Sequence, residues 1–325
     1  MSHPRVSVLI ASHNHEAFVE QALDSLAGQD FTDFELIITD DASTDNTVGV
    51  IRAWMERTGF PAQTIFNETN RGVCRVRNEA LHRAQGEFVC FLDADDWSEP
   101  QRLSHHEKFF AEQEDNVAFI FGDVRLVDSL GEPFASPPID HIPTRTPPPS
   151  GNIFLDLLER NVIPAPAVMV RKTAVEDVGG FDEELYLDDL DMWLRLSQRF
   201  DATYVEGIVA NYRILPTSMS HATATRGQTN IAILASLAKW KGYSPQSDRL
   251  VAAKIRGAAL NLRMLGYSRE VDAALRGVAS LSPSLFWDFA RVLTRFPGAG
   301  HGIRAVRFLQ TRAKARTRAR QKSDE

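Results

Sequence analysis

Three groups of carboxylates stand out along the chain. The stretch FVCFLDADDW sets Asp93, Asp95 and Asp96 directly after the apolar run Phe88–Leu92. Such a run reads as a buried strand. Three carboxylates within four positions repel one another and are costly to desolvate without a partner. A cation must meet them there, or the strand must end at open solvent. Asp93 and Asp95 also present hard oxygen donors of the kind Mg²⁺ or Mn²⁺ takes while bridging to phosphate oxygens. A solvated turn is the plainer alternative. A second group, Asp40, Asp41 and Asp45, lies in DDASTD. Thr44 and Asp45 there suit the cap of a following helix. Two adjacent acids ahead of the cap exceed what capping needs, and one of them can accept hydrogen bonds from a nucleobase or ribose. The third group is Asp188, Asp189 and Asp191 in LYLDDLDMWLRL. These acids either complement a helix start or supply a general base for a hydroxyl, and spacing alone leaves that open. Arg71, Arg75 and Arg77 in NRGVCRVRN are the nearby source of positive charge, with a solvated helix face as the ordinary account.

The elements that must carry these residues alternate. Val6–Ala11 reads as a strand, followed by the polar turn SHNH and by Phe18, Val19, Ala22, Leu23 and Leu26 at helical spacing up to Gly28. Glu35–Thr39 is a second strand; Val48, Ile51 and Met55 mark a helix that stops near Gly59. Thr64–Asn67 reads as a short strand, 73–84 as a helix, and FVCFL as a further strand. Near-continuous apolar strands alternating with helices predict a doubly wound, mainly parallel α/β sheet covered on both faces, here over about residues 4–125. In such a sheet ligands gather at the carboxyl ends of the strands, near a switch in strand order. SHNH, DDASTD and DADDW all fall at such ends. Phe119–Val127 closes this half. Residues 133–149 carry seven prolines and no periodicity, the texture of a lid or a link. Beyond them Pro166–Arg171 resembles a strand, Asp188–Phe200 a helix and Thr203–Ile214 an extended pair. From 228 onward the pattern is helical. The expected organisation is a main domain over 1–227, in halves 1–125 and 126–227, and a helical region with a basic tail over 228–325.

Composition narrows the classes. The 325 residues are 43% hydrophobic and 24% charged, as in a globular protein with a sizeable core. Only Cys74 and Cys90 occur, which argues against a disulfide framework and makes a reducing compartment the simpler assumption. The first apolar run is too short for a signal peptide, and no stretch has the 18 or so apolar residues of a membrane span. A cytoplasmic protein is expected, or one peripheral to the inner face of a membrane. Net charge is −7, yet the last 25 residues carry +6 and the remainder −13. The tail over 301–322 could attach to an anionic membrane. Nucleic acid is not expected as a partner, since the acidic body lacks a basic groove. There is no GxGxxG after the first strand and no GxxxxGK[ST] anywhere. A dinucleotide oxidoreductase or P-loop NTPase would need one. Bound phosphates would therefore have to be met by a metal and arginines.

In order along the chain, VSVLIASHN, LIITDDASTDNT, NRGVCRVRN, FVCFLDADDW, VGGFDEEL, DDLDMWLRL and NYRILPTSMS resemble an inverting nucleotide-sugar glycosyltransferase of family 2. The resemblance covers about residues 4–220 and implies a GT-A fold. It also implies roles. Asp41 would contact the nucleobase, with Ser12 and Asn14 lining the same pocket and Arg77 near the nucleotide. Asp93 and Asp95 would be the DxD pair on Mn²⁺ or Mg²⁺, Asp95 as direct ligand. Asp189 would be the catalytic base. Asp96, Trp97 and Asp188 would border sugar and acceptor. The implied donor is a UDP-linked sugar, and the implied acceptor a hydroxyl of a saccharide or lipid-linked molecule. Three positions depart from the family pattern. His13 stands for Tyr, which alters base stacking. Ala42 stands for Gly, which disfavours a left-handed backbone there. Asp188 stands for Glu, which leaves open which of Asp188, Asp189 and Asp191 is the base. His221 lies where some relatives return a residue to the phosphates; a lone surface histidine is the simpler account. His105 and His106 read as structural. Rival readings are a sugar-phosphate nucleotidyltransferase, which would show a glycine-rich basic turn after the first strand, and a non-catalytic nucleotide-sugar binder.

Overall fold

A computed structural model describes residues 3–135, 147–186, 189–218 and 226–264. The chain divides into two compact units, Met1–Ala222 and Thr223–Glu325. The first holds β1 (Val6–Ser12), α1 (Val19–Ala27), β2 (Phe34–Asp40), α2 (Thr47–Thr58), β3 (Ala62–Phe66), α3 (Val73–Arg83), β4 (Phe88–Asp93), β5 (Trp97–Ser98), α4 (Arg102–Ala111) and β6 (Val117–Val127). It continues with α5 (Phe154–Glu159), β7 (Val168–Arg171), α6 (Lys172–Asp177), α7 (Asp189–Ser197) and β8 (Asp201–Arg213). The second unit contains α8 (Arg226–Ala238) and α9 (Pro245–Met264), which pack on each other.

The eight strands of the described residues form one sheet in the order β3-β2-β1-β4-β7-β6-β8-β5. The pairings β2–β3, β1–β2, β1–β4 and β6–β8 are parallel; β4–β7, β6–β7 and β5–β8 are antiparallel. The predicted parallel α/β core is therefore present, and the sheet extends past residue 125 to Arg213 as a mixed sheet. The expected pair over Thr203–Ile214 is one thirteen-residue strand, β8, whose register against β6 shifts between Val117 and Phe119 and again between Phe121 and Val124.

Alternation along β1 explains why the sheet is buried on both sides. Val6, Val8 and Ile10 share a core with Leu23 and Leu26 of α1, Ile51 and Trp54 of α2, and Leu103 and Phe110 of α4. Leu9 points the other way and is buried too, where α3 lies against β1 and β2. The buried stripe of α2 is Thr47, Ile51 and Trp54 rather than Val48, Ile51 and Met55. The indole is the largest apolar body on that helix, and its Nε1–H donates to Asp24 Oδ1 at 2.7 Å, so turning it inward strands no donor. Gly59 ends α2 at φ +65°, the left-handed cap that glycine supplies.

Several sequence-based expectations fall outside the described residues: Asp188, His221, most of the proline-rich 133–149 segment, the helical pattern beyond 264, and the basic tail over 301–322. Among the described residues, no helix is long and apolar enough to cross a membrane.

Candidate active site

Strand register builds the frame of the site. β1 lies between β2 and β4, with Ser12 opposite Asp40 and Ala11 opposite Asp93. The chain leaves β1 toward β2 and later returns to its other side as β4. That is the switch in strand order at which open α/β sheets bind ligands. The acids of DDASTD and DADDW thus stand on one edge, on either side of the end of β1.

On the β2 side the acids mostly shape the wall of the crevice. Asp40 is buried; its carboxylate accepts from Ser12 Oγ at 2.8 Å and from the N–H and hydroxyl of Ser43 at 2.9 and 2.6 Å. Asp41, 5% exposed, accepts the N–H of Arg71 on Oδ1 and the N–H of Gly72 on Oδ2, both at 2.8 Å. The residue assigned to the nucleobase by resemblance therefore first clamps the turn before α3. Any bond to a base uses its remaining lone pairs. Asn14 takes φ +58°, and its Oδ1 accepts the N–H of Thr44 at 2.8 Å and the Thr44 hydroxyl at 3.2 Å. Its Nδ2 is left to donate to His13 Nε2 at 3.1 Å, which sets the His13 hydrogen on Nδ1, donated to the Asp41 carbonyl at 2.8 Å. Ser12, His13, Asn14 and Asp41 are thus brought together, and Asn70 Nδ2 joins them by donating to the Asp41 carbonyl at 3.4 Å. Neither Thr44 nor Asp45 is the cap residue of α2, which is Asn46; Asp45 accepts the N–H of Thr47 at 3.0 Å just ahead of the helix.

Ala42 corrects one expectation outright. Its φ is +59°, the left-handed conformation its Cβ disfavours. The two hydrogen bonds that Ser43 gives Asp40 leave the chain little other route around the turn.

At the end of β4 the acids meet two arginines. Arg77, 5% exposed, pairs with Asp93 at 2.5 Å, its guanidinium over the rings of Phe91 and Phe181. Of the two outcomes open for DADDW, a cation or open solvent, the α3 residue Arg77 supplies a buried cation to Asp93. Arg213, at the end of β8, donates Nε–H to the Asp95 carbonyl at 2.9 Å and its backbone N–H to Asp96 Oδ1 at 2.8 Å. Its guanidinium lies over Trp97 and Phe18, and also reaches Gln21 and the carbonyls of Asp128 and Ser129. Burial pushes the Asp95 carboxyl above the usual carboxylate range; the Asp93 charge adds to this, while His15 and Arg213 oppose it. Asp96 is pushed well above that range, by burial first and then by Asp95 and Asp93. At 1% exposed it cannot border sugar and acceptor directly, as the resemblance implied. Its carboxylate turns inward to hold β8, and Oδ2 has no hydrogen-bond partner. Trp97, half-buried under Arg213, stays at the rim.

The third acid group is joined to this edge through α3. Arg75 pairs with Glu183, Asn78 Nδ2 donates to the Phe181 carbonyl at 2.9 Å, and Cys74 Sγ–H donates to the Leu185 carbonyl at 3.3 Å. The 181–185 loop that leads into α7 is so moored beside Arg77. Of the acids there, Asp191 is buried and pairs with Arg195 at 2.7 Å, a structural role. Asp189, the first residue of α7, is half-buried and accepts from Asn161 Nδ2 at 3.1 Å and from the Leu190 N–H at 2.6 Å.

The sequence matches the family described as "Glycosyl transferase family 2" over residues 7–179, more than half of the chain. The chain belongs to glycosyl transferase family 2. It is 29% identical over 218 residues to the putative teichuronic acid biosynthesis glycosyltransferase TuaG of Bacillus subtilis, covering 67% of this chain and 82% of the relative. Over 119 residues it is 35% identical to the poly(ribitol-phosphate) beta-N-acetylglucosaminyltransferase TarS of Staphylococcus aureus, covering 36% of this chain and 20% of that one. An uncharacterised Mycobacterium tuberculosis protein is 28% identical over 91% of this chain and 95% of its own. Among solved structures, S. aureus TarS 1–349 in complex with UDP-GlcNAc superposes with a TM-score of 0.63 at 20% identity, covering 89% of this chain and 83% of the other. The mannosyltransferase PcManGT of Pyrobaculum calidifontis, in complex with GDP-Man and Mn²⁺, does so with 0.60 at 19% identity, covering 93% and 83%. The fold is GT-A.

For this glycosyltransferase the donor set suits a divalent cation. Asp93 and Asp95 offer hard oxygens at the crevice edge. Burial pushes the Asp95 carboxyl up, and an added cation would favour its ionised form. Among the described residues no three His, Cys, Asp or Glu side chains form a complete cage. An ion held here would thus complete its shell with phosphate oxygens and water. Arg213 and Asn161 drew no role from the sequence. The arginine is in the NYRILP motif, but nothing local says that it reaches Asp95, more than a hundred positions earlier.

Proposed function

We propose that this family 2 enzyme transfers a sugar from a nucleoside diphosphate donor, UDP-linked, to a hydroxyl of a saccharide or lipid-linked acceptor, inverting the anomeric centre. The observation that carries the proposal is the convergence of Ser12, Asp41, Asp93 and Asp95 on one sheet edge, with the loop that leads to Asp189 moored on α3 beside them. The named activity of TarS and its complex with UDP-GlcNAc support N-acetylhexosamine as the sugar, and the Mn²⁺ and GDP-Man bound to PcManGT support metal use.

Asp41, Asn14 and Ser12 shape the seat of the nucleoside. Asp93 and Asp95 would hold Mn²⁺ or Mg²⁺, which when bound supplies positive charge to the departing diphosphate. Asp189 accepts from Asn161 Nδ2 on Oδ2 and from the Leu190 N–H on Oδ1, bonds that orient the carboxylate. It takes the proton of the acceptor hydroxyl as the oxygen attacks the anomeric carbon, and the nucleoside diphosphate leaves on the opposite side. The test is turnover of UDP-GlcNAc with Mn²⁺, with the anomeric configuration of the product read by proton NMR. Asp189→Asn should keep UDP binding and lose turnover by about 10²-fold or more. A retained anomeric configuration, full activity in Asp189→Asn, or pyrophosphate released from a nucleoside triphosphate instead would each overturn the reading.

A further inference from the structure

Arg102 opens α4 and is wholly buried. A buried cation at the positive end of a helix is doubly unfavourable, and among the described residues no carboxylate lies within ion-pair distance of it. Its partners are instead neutral oxygens: Nη1 donates to Ser98 Oγ at 3.0 Å, and Nη2 donates to the carbonyls of Phe91 at 3.0 Å and Val168 at 3.2 Å. These acceptors share a position. β4 and β7 pair only through Phe88–Arg171, Val89–Val170 and Cys90–Met169. The next residues on each strand are Phe91 and Val168, and there the two strands part. The guanidinium fills that fork and gives both carbonyls the donor the ladder no longer supplies. Its other amino group holds Ser98. One side chain therefore grips the acid-bearing segment at both ends, at Phe91 two residues before Asp93 and at Ser98 two residues after Asp96. Asp96 and Arg102 also attract each other through the core.

We infer that Arg102 is a positioning residue for the diphosphate end of the site: it fixes the path of Phe91–Ser98 and so the attitude of Asp93 and Asp95 toward the donor. This rests on the nucleotide-sugar reading above. The nucleoside seat stands on β1, β2 and the turn at 70–72, which Arg102 does not touch. Loss of the guanidinium should therefore separate two halves of one ligand. Arg102→Met removes charge and all three bonds; Arg102→Lys keeps the charge and can reach only part of the fork; Ser98→Ala removes the grip at one end in a protein that keeps the arginine. Phe110→Leu, a core change on the same helix, is the control for lost stability alone.

The experiment measures binding of uridine, and of UDP with Mn²⁺, by calorimetry, with hydrogen exchange of the 91–99 segment in the same proteins without ligand. Expected are a tenfold or greater loss of UDP–Mn²⁺ affinity in Arg102→Met, a smaller loss in Arg102→Lys and Ser98→Ala, uridine affinity within twofold throughout, and at least tenfold faster exchange over 91–99 in Arg102→Met. UDP–Mn²⁺ affinity within twofold of wild type in Arg102→Lys and Ser98→Ala, equal losses for uridine, or the same split in Phe110→Leu would overturn the inference. Should Arg102→Met not fold, Arg102→Lys and Ser98→Ala decide alone. Wild-type protein that binds no UDP with Mn²⁺ would sink the donor reading and this inference together, a result distinct from normal wild-type binding with no effect of the variants.

Discussion

Replacing Asp41 by asparagine separates the shaping of the nucleoside pocket from contact with a nucleotide. The carboxylate accepts one N–H from Arg71 and one from Gly72, each at 2.8 Å, and is 5% exposed. A backbone N–H given to an ionised group contributes about 1.5–3 kcal/mol. Asparagine retains one acceptor oxygen and turns an amide NH₂ toward the other N–H. One bond is lost, and the other gives up its charge assistance, about half its strength. Arg71 and Gly72 are exposed, so water recovers part of the loss. The remaining cost is about 2–3 kcal/mol, which at about 1.4 kcal/mol per tenfold is roughly 30- to 150-fold in local opening. Hydrogen exchange read on peptides covering 67–76, without any ligand, should accelerate by that factor, while peptides covering β4 stay unchanged. Uridine affinity should fall as the turn loosens. Acceleration of less than about threefold would mean that the clamp does not hold the turn, and the account of the pocket wall would be refuted.

Ala42→Gly should stabilise the protein by about 0.5–1 kcal/mol, because relief of left-handed strain exceeds the added entropy of the unfolded chain; a lower melting temperature would contradict this. His106 is fully buried, and its pKa is held well below the ordinary histidine value by burial first, then by Arg102 and His105. The unfolded chain therefore binds a proton near pH 6.5 that the folded chain refuses. The associated stability is fully present above that pH and is lost as pH falls, by up to about 1.4 kcal/mol per unit. His106→Phe should flatten the stability profile between pH 5 and 6.5, and an unchanged slope would refute the assignment. Cys90 is buried, which pushes its thiol up to about 11, and Cys74 is buried against the Leu185 carbonyl. Neither should react with a thiol reagent in the folded protein at pH 8, whereas both should react in denaturant.

Local pattern carried most of the nucleotide-binding half. Apolar runs ending in polar turns marked β1, β2 and β4, and the parallel rule put their acids on one edge. Where side-chain size outweighed spacing, the pattern was incomplete: Trp54 is buried in the core beside α2 and Met55 packs only partly buried against it. The antiparallel half was harder to see, since β7 has four residues and its place between β4 and β6 depends on partners far away in sequence. Asp93 and Asp95 were legible as a pair. That Asp96 turns inward was not, because the Arg213 N–H that it accepts comes from 117 positions away. Arg102 looked like any polar residue opening a helix; its role depends on a fork between two strands that no local signal announces.

The reach of Arg213 bears on where this enzyme can be cut. The family match ends at residue 179, which invites trimming to a minimal catalytic fragment. Yet the clasp on the acid turn arrives at 213, binding Gln21 from 192 positions earlier together with the Asp95 carbonyl and the Asp96 carboxylate. A ribosome that has released only the matched span has made the acids but not their fastener. The recognisable signature thus stops short of the residue that fastens its own acid turn, which sits on the last strand of the described residues.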